Sequence, residues 1–268
     1  MKIYTDTNVL RYFGIAFAKT GLAEELQEHL LLSPIAVMEL ISQVGTSAAE
    51  EAFSAVQALP NVHNPAGTGM LPWADDLFRI SLFKLPPGKD TITPALNNAV
   101  VNVLNAAKAE EVVDDAKEMR TLLDKAKDEA TQNFSAVLNA WRSEGPLSES
   151  DDKAIFARSI ARQAGVEETG VDADFVVNSL DAYYTFEHGR MSVGAQHANY
   201  NVTKRANDVW DAELLIYLAD PSLHLLTCDK GFERVSKSHQ ANRVHIADAT
   251  CLKDPQCATA QLRTILGI

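Results

Sequence analysis

Short apolar runs near the two ends of the chain alternate with segments of helical periodicity. Residues 2–5 predict a buried strand, residues 8–29 a helix, and residues 30–32 a second strand. Ser33-Pro34 predicts the start of another helix, because serine is a good N-cap and proline fits the first turn. The same alternation returns in residues 207–219, 223–227, 231–236, 243–246 and 255–266. This order predicts a three-layer α/β fold with a central parallel sheet.

The middle of the chain has a different pattern. Between about residues 95 and 190 no segment resembles a strand, and apolar residues recur at helical spacing. One helix is expected over about residues 172–188, because Gly189 follows as a stop signal. We therefore predict a discontinuous α/β core formed by residues 1–60 and 191–268, interrupted by a mainly helical insertion formed by residues 61–190.

Length and composition narrow the class of protein. The chain has 268 residues, of which 46% are hydrophobic, yet no apolar run approaches the roughly 20 residues that a membrane span needs. No secretory leader is visible at the N-terminus. Cys228, Cys251 and Cys257 lack zinc-type spacing and are odd in number, so we expect reduced thiols. These features predict a cytoplasmic protein that does not bind a membrane.

The charge of the chain is unevenly distributed. A formal net charge of −12 argues at first against a nucleic-acid partner, because phosphate backbones bind cationic surfaces. Residues 61–190 hold 13 Lys and Arg against 21 Asp and Glu, and the remainder holds 11 against 15. Five of those 15 acids belong to the candidate site described next. Charge alone therefore neither supports nor excludes a nucleic-acid substrate.

Four acidic signatures lie where a strand ends or a helix begins. Asp6 and Asp229 each follow a strand, so both point into the crevice at the carboxyl edge if their strands are neighbours. Asp208 and Asp211 share one helix face, and Glu39 lies in the first turns of its helix. Two like charges about 4 Å apart cost about 4 kcal/mol at an effective dielectric near 20. Such a cluster requires a cation, and a hard divalent metal indicates phosphate chemistry.

These pieces resemble the PIN-domain family of metal-dependent nucleases. The matching segments are YTDTN at residues 4–8, SPIAVMEL with Glu39, WDAELLIYLA with Asp211, and LLTCDKGF with Thr227, Asp229 and Phe232. The resemblance covers about residues 1–60 and 200–268. It does not cover the middle, whose length exceeds what a compact PIN domain contains.

The resemblance implies a PIN-like fold and an endoribonuclease that hydrolyses phosphodiester bonds. It implies that Asp6, Glu39, Asp211 and Asp229 hold one or two Mg²⁺ or Mn²⁺ ions, with Asp208 as an additional or outer acid. The metal would lower the pKa of a bound water for attack on phosphorus.

Other side chains have expected supporting roles. Asn8 and Thr227 are placed to orient a ligand carboxylate or a water. Candidates for steering phosphates are Arg190, Lys204, Arg205, Lys230 and Arg234. The family includes toxin–antitoxin ribonucleases, which are usually shorter than this chain. An RNA substrate, a protein partner such as an antitoxin, and a homo-oligomer are therefore the partners to consider. We expect the insertion to pack over or beside the acids and restrict access.

Alternative classes fit less well. The Asp-Thr-Asn start also resembles haloacid-dehalogenase-like phosphatases, but Asn8 stands where that family needs a second aspartate. No nucleophile elbow or glycine-rich phosphate loop is present. The histidines lack paired metal-ligand spacing, which favours ordinary polar roles: His63, His188, His197, His224, His239 and His245. A non-catalytic PIN-like protein that uses the helical insertion as a docking surface remains the second hypothesis.

Overall fold

Four short strands form one parallel sheet at the centre of the molecule. The computed structural model describes residues 1–62, 70–88, 92–197 and 199–268, so His63 lies outside the described residues. The strands are β1 (Lys2–Thr5), β2 (Leu30–Leu31), β3 (Leu223–Thr227) and β4 (Val244–Ile246), in the order β2-β1-β3-β4. β1 and β3 pair directly, with Thr5 opposite Leu226. The strands that precede Asp6 and Asp229 are therefore neighbours, as the convergence of these acids requires.

Helices account for most of the remaining chain. Those flanking the first two strands are α1 (Thr7–Phe17), α2 (Glu24–Gln27), α3 (Pro34–Ser42), α4 (Ala49–Gln57) and α5 (Leu59–Val62). The middle contains α6 (Ala74–Leu77), α7 (Thr93–Asn105), α8 (Val113–Glu144), α9 (Glu149–Gln163), α10 (Ala173–Ser179) and α11 (Asp181–Gln196). The C-terminal part contains α12 (Asp208–Ile216), α13 (Ala249–Lys253) and α14 (Pro255–Leu266).

Short 3₁₀ and π-helical segments complete the described secondary structure. The 3₁₀ segments are Gln43–Gly45, Ala109–Val112, Thr203–Arg205, Tyr217–Ala219, Lys230–Lys237 and Ala241–Arg243. A π-helical turn spans Phe78–Leu82.

The sheet contributes to two hydrophobic clusters, one on each face. Ile3 and Leu226 pack in a cluster with α1, α3, α4 and α14. Tyr4 and Leu225 pack in a second cluster with α9, α11 and α12. Because side chains alternate along a strand, each strand supplies both clusters in turn. This arrangement confirms the α/β class with a central parallel sheet, although the molecule is mainly helical.

The helices of residues 61–190 pack on the same cores as the flanking segments. Leu96 of α7 and Met119 of α8 are buried in the cluster that contains α1 and α3. Ile160 of α9 and Phe186 of α11 are buried in the cluster that contains α12. The expected insertion therefore lies against the sheet-bearing segments. Its division from a PIN-like core stays a prediction.

The first helix ends earlier than its periodicity predicts. The expected helix over residues 8–29 is divided into α1 and the short α2. Gly21 lies between them with φ of +66° and donates its N–H to the carbonyl of Phe17. Glycine adopts this left-handed conformation without the steric cost of a Cβ, so it allows the chain to turn here.

The helix expected over residues 172–188 also differs. It is divided at Leu180 into α10 and α11, and α11 continues through Gly189 to Gln196. Arg190 and Met191 beyond the glycine are buried. Tertiary packing thus offsets the roughly 1 kcal/mol that glycine costs in a helix interior.

The expectation of three reduced cysteines is wrong. Cys251 of α13 and Cys257 of α14 form a disulfide, with their Cα atoms 5.1 Å apart. The break between the two helices at Asp254-Pro255 folds the chain back and brings these thiols together. Cys228 is free and half-buried.

Within the described ranges, none of the helices combines the length and apolar character that crossing a membrane requires.

Candidate functional site

Two neighbouring strand ends are joined by a chain of hydrogen bonds. The hydroxyl of Thr227 donates to Oδ2 of Asp6 at 2.6 Å and accepts the backbone N–H of Asp229 at 2.9 Å. This contact fixes the orientation of the Asp6 carboxylate, as expected of a group that positions a ligand. Asp6 and Asp229 therefore lie at one edge of the sheet.

Both strand-end aspartates also cap the helical segments that follow them. Asp6 is the N-cap of α1, and its Oδ1 accepts the N–H of Val9 at 2.7 Å. Asp229 caps Lys230–Lys237 in the same way, because its Oδ1 accepts the N–H of Gly231 at 2.6 Å. Capping explains why aspartate is favourable at each position. It does not account for the burial of Asp6, which is only 6% exposed.

Burial raises the pKa of Asp6 above its ordinary value. The hydrogen bonds from Thr227 and Val9 oppose this shift, and the charge of Asp229 adds to it. An acid with two hydrogen bonds normally titrates low. For Asp6 the effect of burial outweighs these hydrogen bonds.

Glu39 joins this group from α3. The hydroxyl of Thr7, the first residue of α1, donates to Oε2 of Glu39 and ties the two helices together. Burial raises the pKa of Glu39, and the charge of Asp6 raises it further. Lys127 and Arg11 lower it. Glu39 therefore approaches Asp6 and is partly compensated by two cations.

Asp211 of α12 is a strongly perturbed acid of the cluster. Burial, followed by the charges of Asp229, Asp208, Glu39 and Asp6, raises its pKa to about 8. Among the described residues, its carboxylate has no hydrogen bond or ion pair. The four predicted acids are thus close enough for their charges to interact. Among the described residues none of the four forms an ion pair, and Asp211 differs from the other three because its carboxylate also accepts no hydrogen bond.

Asp208 differs from Asp211 although it lies one helical turn away. Its Oδ2 is 3.1 Å from Nη1 of Arg234 and 3.7 Å from Nε of Arg190. Both arginines are positive under all ordinary conditions. Asp208 is already neutralised by the protein, which argues against a direct metal contact at this carboxylate.

Arg190 does not lie free on the surface as a phosphate-steering group would. It is 3% exposed, and its guanidinium contacts Glu187 at 2.5 Å and the ring of Phe134 at 4.3 Å. The pair with Glu187 lies within α11, whereas the contact with Phe134 joins α11 to α8 and the pair with Asp208 joins α11 to α12. The placement favours a structural tie between the middle helices and the site.

The other four candidate cations are exposed. Lys204 and Arg205 lie in a 3₁₀ turn before α12, and Lys230 and Arg234 follow Asp229. Arg205 lies over the ring of Tyr200 at 5.7 Å, and Arg234 pairs with Asp208. Lys204, Arg205 and Lys230 therefore remain candidates for steering. Asn8 is half-buried, and its side chain has no hydrogen bond to the described part of the chain.

The middle helices approach the acids through Lys127 of α8. Its ammonium donates to the side-chain oxygen of Asn207, which precedes α12, and its charge lowers the pKa of Glu39. α8 also packs along α3. Helix α8 therefore lies beside the acids. That the middle helices form an insertion and restrict access to the acids stays a prediction. No local pattern distinguishes Lys127, because it is one of several lysines on an amphipathic helix.

Metal coordination places a stricter demand on geometry than charge interaction does. Within residues 1–62, 70–88, 92–197 and 199–268, no group of three or more His, Cys, Asp or Glu side chains is arranged to hold one ion. Mg²⁺ commonly takes one or two carboxylates and completes its octahedron with waters and substrate phosphate oxygens. The donors here are all hard carboxylate oxygens. This is the donor type that Mg²⁺ or Mn²⁺ would take, and the described residues do not form a closed protein cage around an ion.

Sequence reasoning missed two further features. Glu213 of α12 lies two residues after Asp211, and burial, then the charges of Asp75 and Glu39, raises its pKa to about 8. His224 and His245 stack across β3 and β4, with Nδ1 and Nε2 2.9 Å apart. Burial lowers the pKa of His224 to about 4 and that of His245 in the same direction. The position of Glu213 inside the apolar segment of α12 was a signal that could have identified it. No such signal existed for the histidines, because they become neighbours only when β3 pairs with β4.

No protein-family model matches the chain, and comparisons with curated proteins and with solved structures also find no match. The PIN-like interpretation therefore stays a prediction from the sequence motifs.

Proposed function

We propose that this protein is a divalent-metal-dependent nuclease with a PIN-like arrangement, most simply an endoribonuclease. The observation that supports it is the unneutralised Asp211 among Asp6, Glu39 and Asp229 at the carboxyl edge of two adjacent parallel strands. Ligands of parallel α/β sheets bind at this edge. An unpaired acid in such a setting is costly unless a cation completes it.

The residues have separate tasks in this proposal. Asp6 and Asp211 would hold a Mg²⁺ or Mn²⁺ ion, with Glu39 and Asp229 close by as direct or water-mediated partners. A bound divalent ion supplies an acidified water and charge neutralisation at the phosphate. Thr227 holds Asp6 in one orientation. The exposed Lys204, Arg205 and Lys230 attract the phosphate backbone toward the acids.

Cleavage of a nucleic-acid panel tests the proposal. The panel contains single-stranded RNA, hairpin RNA and single-stranded DNA, each with Mg²⁺, Mn²⁺ or EDTA. We expect RNA cleavage with metal and a loss of roughly 100-fold or more in Asp6→Asn, because several kcal/mol of metal-dependent stabilisation correspond to that factor. Asparagine caps a helix as well as aspartate does, so α1 is retained.

Asp172→Asn is the matched control for this variant. Asp172 is also a helix N-cap, accepting the N–H of Phe175 at 3.0 Å, and it is exposed on a different helix. Its substitution should leave cleavage unchanged. Metal-independent cleavage, or equal rates in the parent and Asp6→Asn, would contradict the nuclease assignment.

One observation favours the non-catalytic alternative. The middle helices expose several large apolar side chains, and a docking surface would require a contiguous patch of such residues. The exposed side chains are Val101, Leu104, Val113, Val137, Ile155 and Phe175. A binding protein of this kind, with an antitoxin or another protein as partner, would show no metal-dependent cleavage by the parent chain. The same panel therefore separates the two functions.

A further inference from the structure

A cavity of about 400 Å³ lies beside the acidic cluster and does not include it. Side chains of α3, α6, α8 and α12 line most of it. The lining residues that matter here are Ile35, Met38, Trp73, Asp75, Lys125, Glu129, Trp210 and Glu213. Its volume lies in the range of small-molecule sites. None of the proposed metal-binding acids contributes to it.

The walls of the cavity are aromatic and aliphatic. Trp210 is buried, and Trp73 is held in place because its indole N–H donates to the hydroxyl of Thr93 at 2.8 Å. Ile35 and Met38 of α3 are buried as well. Tryptophan faces attract cations more strongly than any other side-chain ring. The walls therefore suit an apolar body that carries positive charge.

The charges of the cavity are unbalanced. Three acids and one lysine line it, and among the described residues none of these four side chains has a hydrogen bond or an ion pair. Asp75, Glu129 and Lys125 are exposed, whereas Glu213 is largely enclosed beside Trp210 on α12. A carboxylate enclosed by apolar walls without a partner costs free energy that a bound cation would offset.

We propose that this cavity binds a small organic cation, an aliphatic chain with ammonium groups of the alkyldiamine class. One ammonium would meet Glu213 between the tryptophans, and the second would meet Asp75 or Glu129 at the rim. An anion is repelled by the excess of acids. A single metal ion fills little of a space equal to about a dozen water volumes.

Calorimetric titration with 1,5-diaminopentane tests the proposal, in a buffer with EDTA that removes metal ions. Two control ligands have the same five-carbon chain: 1,5-pentanediol, which is uncharged, and glutarate, which is anionic. We expect the diamine to bind, and the other two to bind at least tenfold more weakly. Glu213→Gln keeps the shape of the side chain and replaces its carboxyl group by an amide that cannot become the anionic partner of an ammonium, so it should weaken diamine binding tenfold or more. Glu118→Gln removes an exposed acid of α8 outside the cavity and should change affinity less than twofold.

Further arms separate the possible outcomes. Asp75→Asn at the exposed rim should weaken binding several-fold, and it keeps the proposal testable if Glu213→Gln fails to fold. Equal binding of diamine and diol, or no effect of either substitution, would overturn the proposal. So would tighter binding of a peptide with one central lysine, because that result would make the site a contact for another protein.

Magnesium separates this cavity from the proposed nuclease site. Mg²⁺ that displaced the diamine one for one would place both in the acidic cluster and refute a separate site. The RNA-cleavage result for Asp6→Asn does not depend on diamine binding, so either idea can fail alone.

Discussion

Two aspartates one turn apart on α12 have opposite environments. Asp208 contacts Arg234 and Arg190, and its charge is matched by the protein. Asp211 has no such partner among the described residues, and burial with four nearby acids raises its pKa to about 8. Convergence of acids alone therefore does not define a cation site. What distinguishes Asp211 is that the fold brings acids to it and arginines only to its neighbour.

The largest expected effect is a loss of unfolding free energy when Asp208 loses an arginine partner. Arg190→Ala leaves Glu187 and Asp208 without their buried partner, which should cost about 3 kcal/mol of unfolding free energy. Urea denaturation measures it. Arg234→Ala is the matched control, because this arginine contacts the same carboxylate but is 39% exposed at its side chain. It should cost less than about 1 kcal/mol. Equal losses would show that burial of Arg190 is not the deciding difference.

The second effect concerns pH in the absence of metal. The folded protein keeps a proton on Asp211 up to about pH 8, whereas the unfolded chain releases it near the ordinary value of 3.8. Stability from this group is complete below that ordinary value and is lost as pH rises toward 8. The free energy of unfolding should therefore fall less with rising pH in Asp211→Asn than in the parent. The expected difference is on the order of 2 kcal/mol, after allowance for the partial exposure of Asp211.

Urea denaturation in EDTA at pH 5, 6.5 and 8 measures the decline. Glu213 has a pKa shifted in the same direction, so Asp211→Asn should flatten the curve without abolishing its slope. Parallel curves for the parent and Asp211→Asn would contradict the assigned environment of Asp211.

The smallest effect is the difference in metal affinity between the two aspartates. Asp211→Asn should weaken Mn²⁺ binding about tenfold, or about 1.4 kcal/mol, because it removes the unpaired donor. Asp208→Asn should change it less than threefold, since that carboxylate is held by arginines. Thermal stabilisation by Mn²⁺, which rises with ligand concentration over Kd, provides the measurement. Equal losses would place both carboxylates in the ligand set.

Local signals in the chain were sufficient for several elements. The strands at residues 2–5 and 223–227 and the helix at 255–266 have the predicted bounds, because each combines an apolar pattern with clear start or stop residues. The helix over residues 8–29 was wrong for the opposite reason. Apolar residues recur at helical spacing beyond Phe17, so the sequence pattern does not show that α1 ends there. The end of the helix is visible only in the structure, where the chain turns at Gly21.

Contacts between distant residues were not readable in the same way. The six-residue spacing of Cys251 and Cys257 does not by itself predict a disulfide, because the two thiols meet only when α13 and α14 fold against each other. The same holds for Arg190, which as a sequence position resembles any other arginine near an acidic segment. Whether it meets phosphate or Asp208 depends on the packing of α11 against α12.

The sequence by itself determined the α/β alternation, the helical middle and the positions of Asp6, Glu39, Asp211 and Asp229, because periodicity and helix caps are local properties. Only the tertiary structure decided that β1 and β3 are neighbours, that Asp208 is neutralised, and that a tryptophan-walled cavity opens beside Glu213. The physical reason is that electrostatic interaction and burial depend on distances across the fold, which a linear pattern does not contain.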